Sequence, residues 1–200
     1  MKKITAASVA VAVLLLACSE EEGTTPREPE RLEPTTPVNV LKNVELSFNR
    51  RHVGLLKDML AEDFVFYFDP RDVGGHPPGR KYPIPEDWYY DEFWTAADNM
   101  FILAHSISLA IPADGVGTPA ENEATYKAEN VPISLLVMID SLNGYIAERG
   151  YCNYEFERYE SASGKKFWRL TGWWDRTSVG YDEYPGVEPT SLGRVLSLFR

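Results

Sequence analysis

A chain of 200 residues with a net charge of −10 and 44% hydrophobic residues has enough apolar material for one folded domain plus appendages. The acidic balance argues against nucleic acid or an anionic lipid surface as an electrostatic partner, because both select for surplus Lys and Arg. Two cysteines, Cys18 and Cys152, are too few for a disulfide framework.

Met1-Lys2-Lys3 is a short basic start, and Ile4 to Ala17 is an unbroken run of apolar and small residues. That run is short for a membrane span and has the layout of a secretory signal over 1–17. It ends in Leu15-Leu16-Ala17-Cys18, which resembles the lipobox of bacterial lipoproteins. The resemblance implies diacylglycerol on the Cys18 thiol, cleavage after Ala17 and an acylated new amino terminus. Several acyl chains, at ~0.8 kcal/mol per buried CH₂, suffice for a stable membrane anchor. Ser19 rather than aspartate follows Cys18, which by the sorting rule of that class implies the outer membrane of a bacterial cell envelope. Residues 18–36 hold Glu20-Glu21-Glu22 and several prolines and threonines, and read as a disordered acidic tether.

The folded domain is expected over 37–200. Thr36-Pro37 has the form of a helix start, and Val38, Leu41, Val44 and Phe48 follow at helical spacing. A second short helix is predicted over 53–60 and an aromatic strand over 64–68. Residues 71–85 form a long loop rich in Gly and Pro, long enough to line or cover a site. A helix over 86–104, a strand over 105–111 and a second loop over 112–124 follow.

Three consecutive strands come next, over 131–142, 145–159 and 167–175. Asn143-Gly144 suggests a two-residue hairpin, which would pair Val131 with Phe156, Ile133 with Tyr154 and Leu135 with Cys152. A five-residue loop after Glu160 would add Trp168, Leu170, Gly172 and Trp174 to the same apolar face. Gly172 would lie across from Tyr154, and Gly150 would mark a bulge that bends the sheet. The chain is then irregular until a last amphipathic helix over 191–199. The expected architecture is α+β: a cone-shaped, curved antiparallel sheet with helices packed in its concave face.

The order helix, helix, strand, helix, strand and three-strand meander resembles the nuclear-transport-factor-2-like superfamily, including SnoaL-like proteins. The resemblance rests on Phe48-Asn49, on Leu55-Leu56-Lys57-Asp58-Met59-Leu60-Ala61-Glu62-Asp63-Phe64 and on Trp168-Arg169-Leu170-Thr171-Gly172-Trp173-Trp174-Asp175. It implies a pocket at the wide end of a cone and, in many members, pairing through the outer sheet face. That face would carry Leu136, Met138, Tyr151, Phe167 and Trp173, which a homodimer or the carboxy-terminal segment would cover equally well.

Fold alone does not set function. Tyr154, Phe156, Trp168 and Trp174, with His105, are the candidate ligand-pocket residues, set against the plainer reading of a packed aromatic core. Asp69, Asp98 and Asp140 are acids of the type that isomerases of the superfamily use, and each reads equally as a cap, turn or surface carboxylate. His52 and His76 fall in connections, and Cys152 reads as a small buried core residue. Gly115-Val116-Gly117-Thr118-Pro119-Ala120 matches a dinucleotide fingerprint only formally, because no βαβ unit surrounds it. No motif calls for a metal or a cofactor. The functional expectation is a membrane-anchored binding or interaction module for a small apolar ligand or a protein partner. The alternative is a small pocket enzyme, of isomerase or hydrolase type, using a buried carboxylate.

Overall fold

A computed structural model describes residues 30–77, 79–177 and 187–200. The signal segment, Cys18 and most of the tether lie outside the described residues.

Helix α1 (Pro37–Arg50) starts where the sequence places it: Thr36 Oγ1 accepts the Asn39 amide at 3.2 Å, and proline fills the first turn. Its Val40, Leu41, Val44 and Phe48 are buried. The helix ends on Arg51, left-handed at φ 55, whose N–H returns to the Phe48 carbonyl. His52 then caps α2 (Val53–Met59), its Nδ1 accepting the Leu55 amide at 2.9 Å.

Strand β1 (Leu60–Tyr67) follows at once, four residues earlier than expected. The 71–85 loop leads to a three-residue strand, β2 (Asp87–Tyr89), and to α3 (Tyr90–Leu103), β3 (Ser106–Ala110) and a 3₁₀ turn at Ala113–Gly115. The meander is β4 (Thr125–Met138), β5 (Gly144–Glu160) and β6 (Lys166–Arg176), followed by β7 (Val187–Pro189) and α4 (Leu192–Ser197). The sheet runs β2-β1-β6-β5-β4-β3, with β7 beside the start of β5. It is mixed rather than wholly antiparallel, since β1 runs parallel to β6 and β7 parallel to β5.

The β4–β5 connection differs from the expected two-residue turn. Asp140 Oδ1 accepts the amides of Leu142 (2.7 Å) and Asn143 (2.8 Å), and Ile139 N–H donates to the Asn143 carbonyl. This side-chain-closed loop ends β4 at Met138 and places Gly144 in the ladder opposite it. A Cβ on Gly144 would meet the Val137 carbonyl at 2.5 Å, so close backbone approach is what the position requires. Val131 consequently pairs with Cys152 rather than Phe156, and Tyr154 and Phe156 pair with Ala128 and Tyr126. At Val131 the displacement is four residues, an even number, so the same side chains still face inward. The pairing slips on either side of this stretch, once next to Asn130 (φ 54) and once opposite Ala147 to Gly150. Such irregularities bend a sheet.

A second difference lies in β6. The five-residue loop is as expected, with Glu160 opposite Lys166, and Leu170 opposite Phe156. Thr171 is then an extra residue, its Oγ1 donating to the Glu155 carbonyl at 3.1 Å, and Gly172 pairs with Glu155. The bulge exchanges the faces beyond it. Trp173 and Asp175 turn inward and are fully buried, while Trp174 turns outward and stacks on Tyr67 at 4.7 Å. The Trp174 ring, not Tyr154, covers Gly172: a Cβ there would meet it at 2.5 Å.

The concave wall of Val131, Ile133, Leu135, Val137, Cys152, Tyr154, Phe156, Trp168, Leu170 and Trp173 closes on α1 and α3 as one apolar core. Leu192, Val195, Leu196 and Phe199 belong to this core, so the described part of the C-terminal segment packs inside the domain rather than over the outer sheet face. At the other terminus, part of the expected tether is docked. Leu32 exchanges two hydrogen bonds with the Asn43 side chain, and the Pro34 carbonyl accepts the Trp168 amide at 2.7 Å, near the start of β6.

Candidate functional site

The candidate pocket residues separate into three places. Tyr154, Phe156 and Trp168 are buried in the concave wall. Trp174 is on the opposite face, because of the Thr171 bulge. His105 is exposed at the start of β3, with its backbone carbonyl held by the Arg51 guanidinium. Among the acids, Asp140 closes the β4–β5 loop, Asp98 is half-buried on α3 and Asp69 is buried.

The cone interior is filled by rings in mutual contact. Trp88 meets Phe68 at 4.8 Å, Phe68 meets Phe66 at 5.1 Å, Phe66 meets Trp173 at 5.7 Å and Trp173 meets Tyr154 at 5.2 Å. The Cys152 thiol lies beside Trp173 and Tyr154; burial pushes its pKa far up, and the neighbouring Asp175 charge adds to this. Its full burial sets it among the packed core residues rather than in an exposed, electropositive setting that activates a thiol. Burial also pushes the Tyr154 phenol well above its ordinary value, and its hydroxyl has no hydrogen-bond partner among the described residues.

Asp175, which sequence reasoning passed over as a strand end, is a fully buried acid with both oxygens engaged. Its Oδ1 accepts the Thr177 amide (2.9 Å) and hydroxyl (2.6 Å), and its Oδ2 accepts the Gly193 amide (2.7 Å). Thr177 Oγ1 in turn accepts the Leu192 amide at 2.9 Å. Asp72 contributes a second tie by accepting the hydroxyl of Ser191, the residue that caps α4. Asp69 accepts Arg71 Nε at 2.9 Å, and the same guanidinium donates to the Thr177 carbonyl at 2.7 Å. These bonds fasten the segment from Ser191 onward across the inside of the sheet. The missed signal was the Thr171 bulge, without which Asp175 reads as outward-facing.

The charges respond accordingly. Burial works to raise Asp69, but the hydrogen bonds and charge of Arg71 outweigh it and hold its pKa below the ordinary value. Burial raises Asp72, offset in part by Ser191 and Arg194. Burial pushes Asp175 up to about 6, against the bonds from Thr177 and Gly193. An acid with a raised folded pKa binds its proton more tightly when folded, so ionising it costs stability. The cost begins above the unfolded value of about 4, is complete above about 6, and amounts to about 3 kcal/mol at most. The melting temperature of wild type is expected to fall between pH 4 and 6.5 relative to Asp175→Asn. Parallel melting profiles for the two proteins would contradict the assignment.

Open space lies elsewhere, at the edge of the cone where the 77–85 loop faces α4. A groove of about 750 Å³ is lined by Pro77, Tyr82, Ile84, Pro85 and Trp88, with Arg80, Lys81 and Arg200 around them. Trp88 is held from below by Phe68, and the Arg200 guanidinium lies 5.7 Å from its ring. A composition rich in Gly and Pro marked this loop as a site boundary, but the partner residues from the C-terminus could not be read from the chain. Among the described residues, no three His, Cys, Asp or Glu side chains gather as a metal-binding group. No helix in the same residues is long and apolar enough to cross a membrane.

No family model matches the chain, and no curated protein does. Several solved structures resemble it. A conserved protein from Planctomyces limnophilus aligns with a TM-score of 0.48 and 14% identity over 70% of this chain and 91% of its own. ActVI-ORFA from Streptomyces coelicolor gives 0.44 and 11%, over 70% and 93% of the two chains. Hexachlorocyclohexane dehydrochlorinase LinA-type3 from Novosphingobium barchaimii gives 0.43 and 11%, over 76% and 85%. The molecule itself is α+β, with helices packed in the concave face of a curved, mixed seven-stranded sheet.

Proposed function

We propose that this chain is a lipoprotein of the bacterial cell envelope, anchored through Cys18, whose cone domain is a binding module for a small apolar ligand or a protein partner. The groove beside Trp88 is the observation that carries the binding role: it joins apolar walls, cationic side chains and a volume in the range of small-molecule sites. A pocket enzyme would need a carboxylate with a free oxygen facing substrate. Both oxygens of Asp175 are already engaged by Thr177 and Gly193, and Asp69 is engaged by Arg71. The apolar Ile4 to Ala17 run ending in Leu15-Leu16-Ala17-Cys18 supports the anchor.

Metabolic labelling with an alkyne palmitate tests the anchor. Wild type should take up label and sediment with membranes, and Cys18→Ala should do neither; equal labelling of the two would end this half of the reading. Pairing of two copies through the outer sheet face, where Tyr67–Trp174 and Tyr159–Phe167 stack and Tyr151 is exposed, remains part of the proposal.

A further inference from the structure

We infer that the groove beside Trp88 is a binding site for amphipathic carboxylates, molecules with an extended apolar body and one anionic head. The inference rests on the binding reading above and goes further by naming the ligand class.

The charge of the lining carries it. The chain as a whole is at −10, so its long-range field repels anions. The groove nevertheless brings together Arg80, Lys81 and Arg200, and among the described residues no acidic side chain lines it. Arg200 is partly neutralised, 3.0 Å from Glu92 at its outer side. Arg80 and Lys81 are exposed, and neither makes an ion pair among the described residues. Two cations without a carboxylate partner among the described residues, Lys81 lying 5.7 Å from the Tyr82 ring, suit a single anionic head at the rim of the groove.

The walls select the body of the ligand. The apolar surface open to a ligand comes mainly from Tyr82, 67% exposed, and half-buried Pro85, over a floor of buried Pro77, Ile84 and Trp88. A stretch of CH₂ groups or a flat ring laid there is removed from water at about 25 cal/mol per Å². The Trp88 side chain adds a polar element. Its residue is fully buried, yet its Nε1–H has no hydrogen-bond partner among the described residues. A buried donor left unpaired is costly, and its resonance is a local reporter of the groove that Trp88 lines.

The test uses the full chain carrying Cys18→Ala, labelled with ¹⁵N at the tryptophan indoles, with the Trp88 Nε1–H resonance assigned through bonds because Trp88 is a core residue. Four probes are titrated, the single-chain ones below micelle-forming concentrations: dodecanoate, dodecanol, acetate and vesicles of phosphatidylglycerol. Dodecanoate should shift the Trp88 indole and bind at least tenfold more tightly than dodecanol, and acetate should leave it unmoved. Arg80→Ala combined with Lys81→Ala, both surface changes, should weaken dodecanoate tenfold or more and leave dodecanol unchanged. Equal affinity for dodecanoate and dodecanol, or an unaffected double variant, would overturn the charge selection while leaving the binding role intact. A Trp88 shift with vesicles but not dodecanoate would overturn the carboxylate in favour of a lipid surface. If no probe moves the Trp88 indole, the small-ligand reading of the groove falls with it.

Discussion

Replacing Asp175 with alanine is expected to lower the melting temperature by about 10 °C and to release the C-terminal segment from the cone. The substitution strands three buried donors, the Thr177 amide and hydroxyl and the Gly193 amide. Each unsatisfied buried donor costs about 1–3 kcal/mol, and relief from holding a charge out of water offsets part of the sum. The net loss is about 3 kcal/mol, and a domain of this size loses about 2–4 °C per kcal/mol. Gly193→Ala should act in the same direction by steric means. A Cβ there would meet the Phe68 ring at 2.6 Å and Asp175 Oδ2 at 3.0 Å. If both variants melt with wild type, the segment from Ser191 onward is not fastened as described. Thermal melts followed by circular dichroism read the outcome.

Trp173→Ala is expected to cost about 3–5 kcal/mol, as deletion of a large buried aromatic generally does. Trp173 is fully buried at the centre of the aromatic packing, with ring neighbours Tyr154 (5.2 Å), Phe93 (5.6 Å), Phe66 (5.7 Å) and Phe48 (6.5 Å) drawn from β5, α3, β1 and α1. The cavity would lie where all these elements meet, so collapse could not be confined to one of them. Against a total stability of about 5–15 kcal/mol, such a loss leaves a marginal domain. Trp174→Ala, which removes the outer-face stack on Tyr67 and the ring over Gly172, should cost clearly less. Urea denaturation of both variants decides the matter; equal losses would mean that the Thr171 bulge does not set the faces of β6.

The contrast between these two tryptophans shows where the sequence is readable and where it is not. Apolar alternation was sufficient to place Val131, Ile133, Leu135, Cys152, Tyr154, Phe156, Trp168 and Leu170 on the inner wall, because alternation is a local property of a strand. It failed beyond Thr171, where one inserted residue exchanges the faces without any change in composition. The hairpin register was misread for a related reason. Asn143-Gly144 has the composition of a tight turn, but Asp140, three residues earlier, captures the amides of Leu142 and Asn143 first and makes a longer loop.

The site was less legible than the fold. A groove built from the 77–85 loop, Trp88 and the last residues of the chain depends on contacts distant in sequence, and no spacing announces them. The docking of Asp175 with Gly193 is equally non-local. Composition did mark out the long Gly- and Pro-rich loop, which supplies most of the groove's lining.

Amide hydrogen exchange at Gly193 and Leu192 tests most directly whether the C-terminal segment closes the cone and leaves the Trp88 groove as its open space. The bonds to Asp175 and Thr177 predict that both amides exchange as slowly as those in the centre of β5, and that Asp175→Ala accelerates them selectively. Exchange of both amides at the rate of exposed loop residues in the unaltered protein would contradict it.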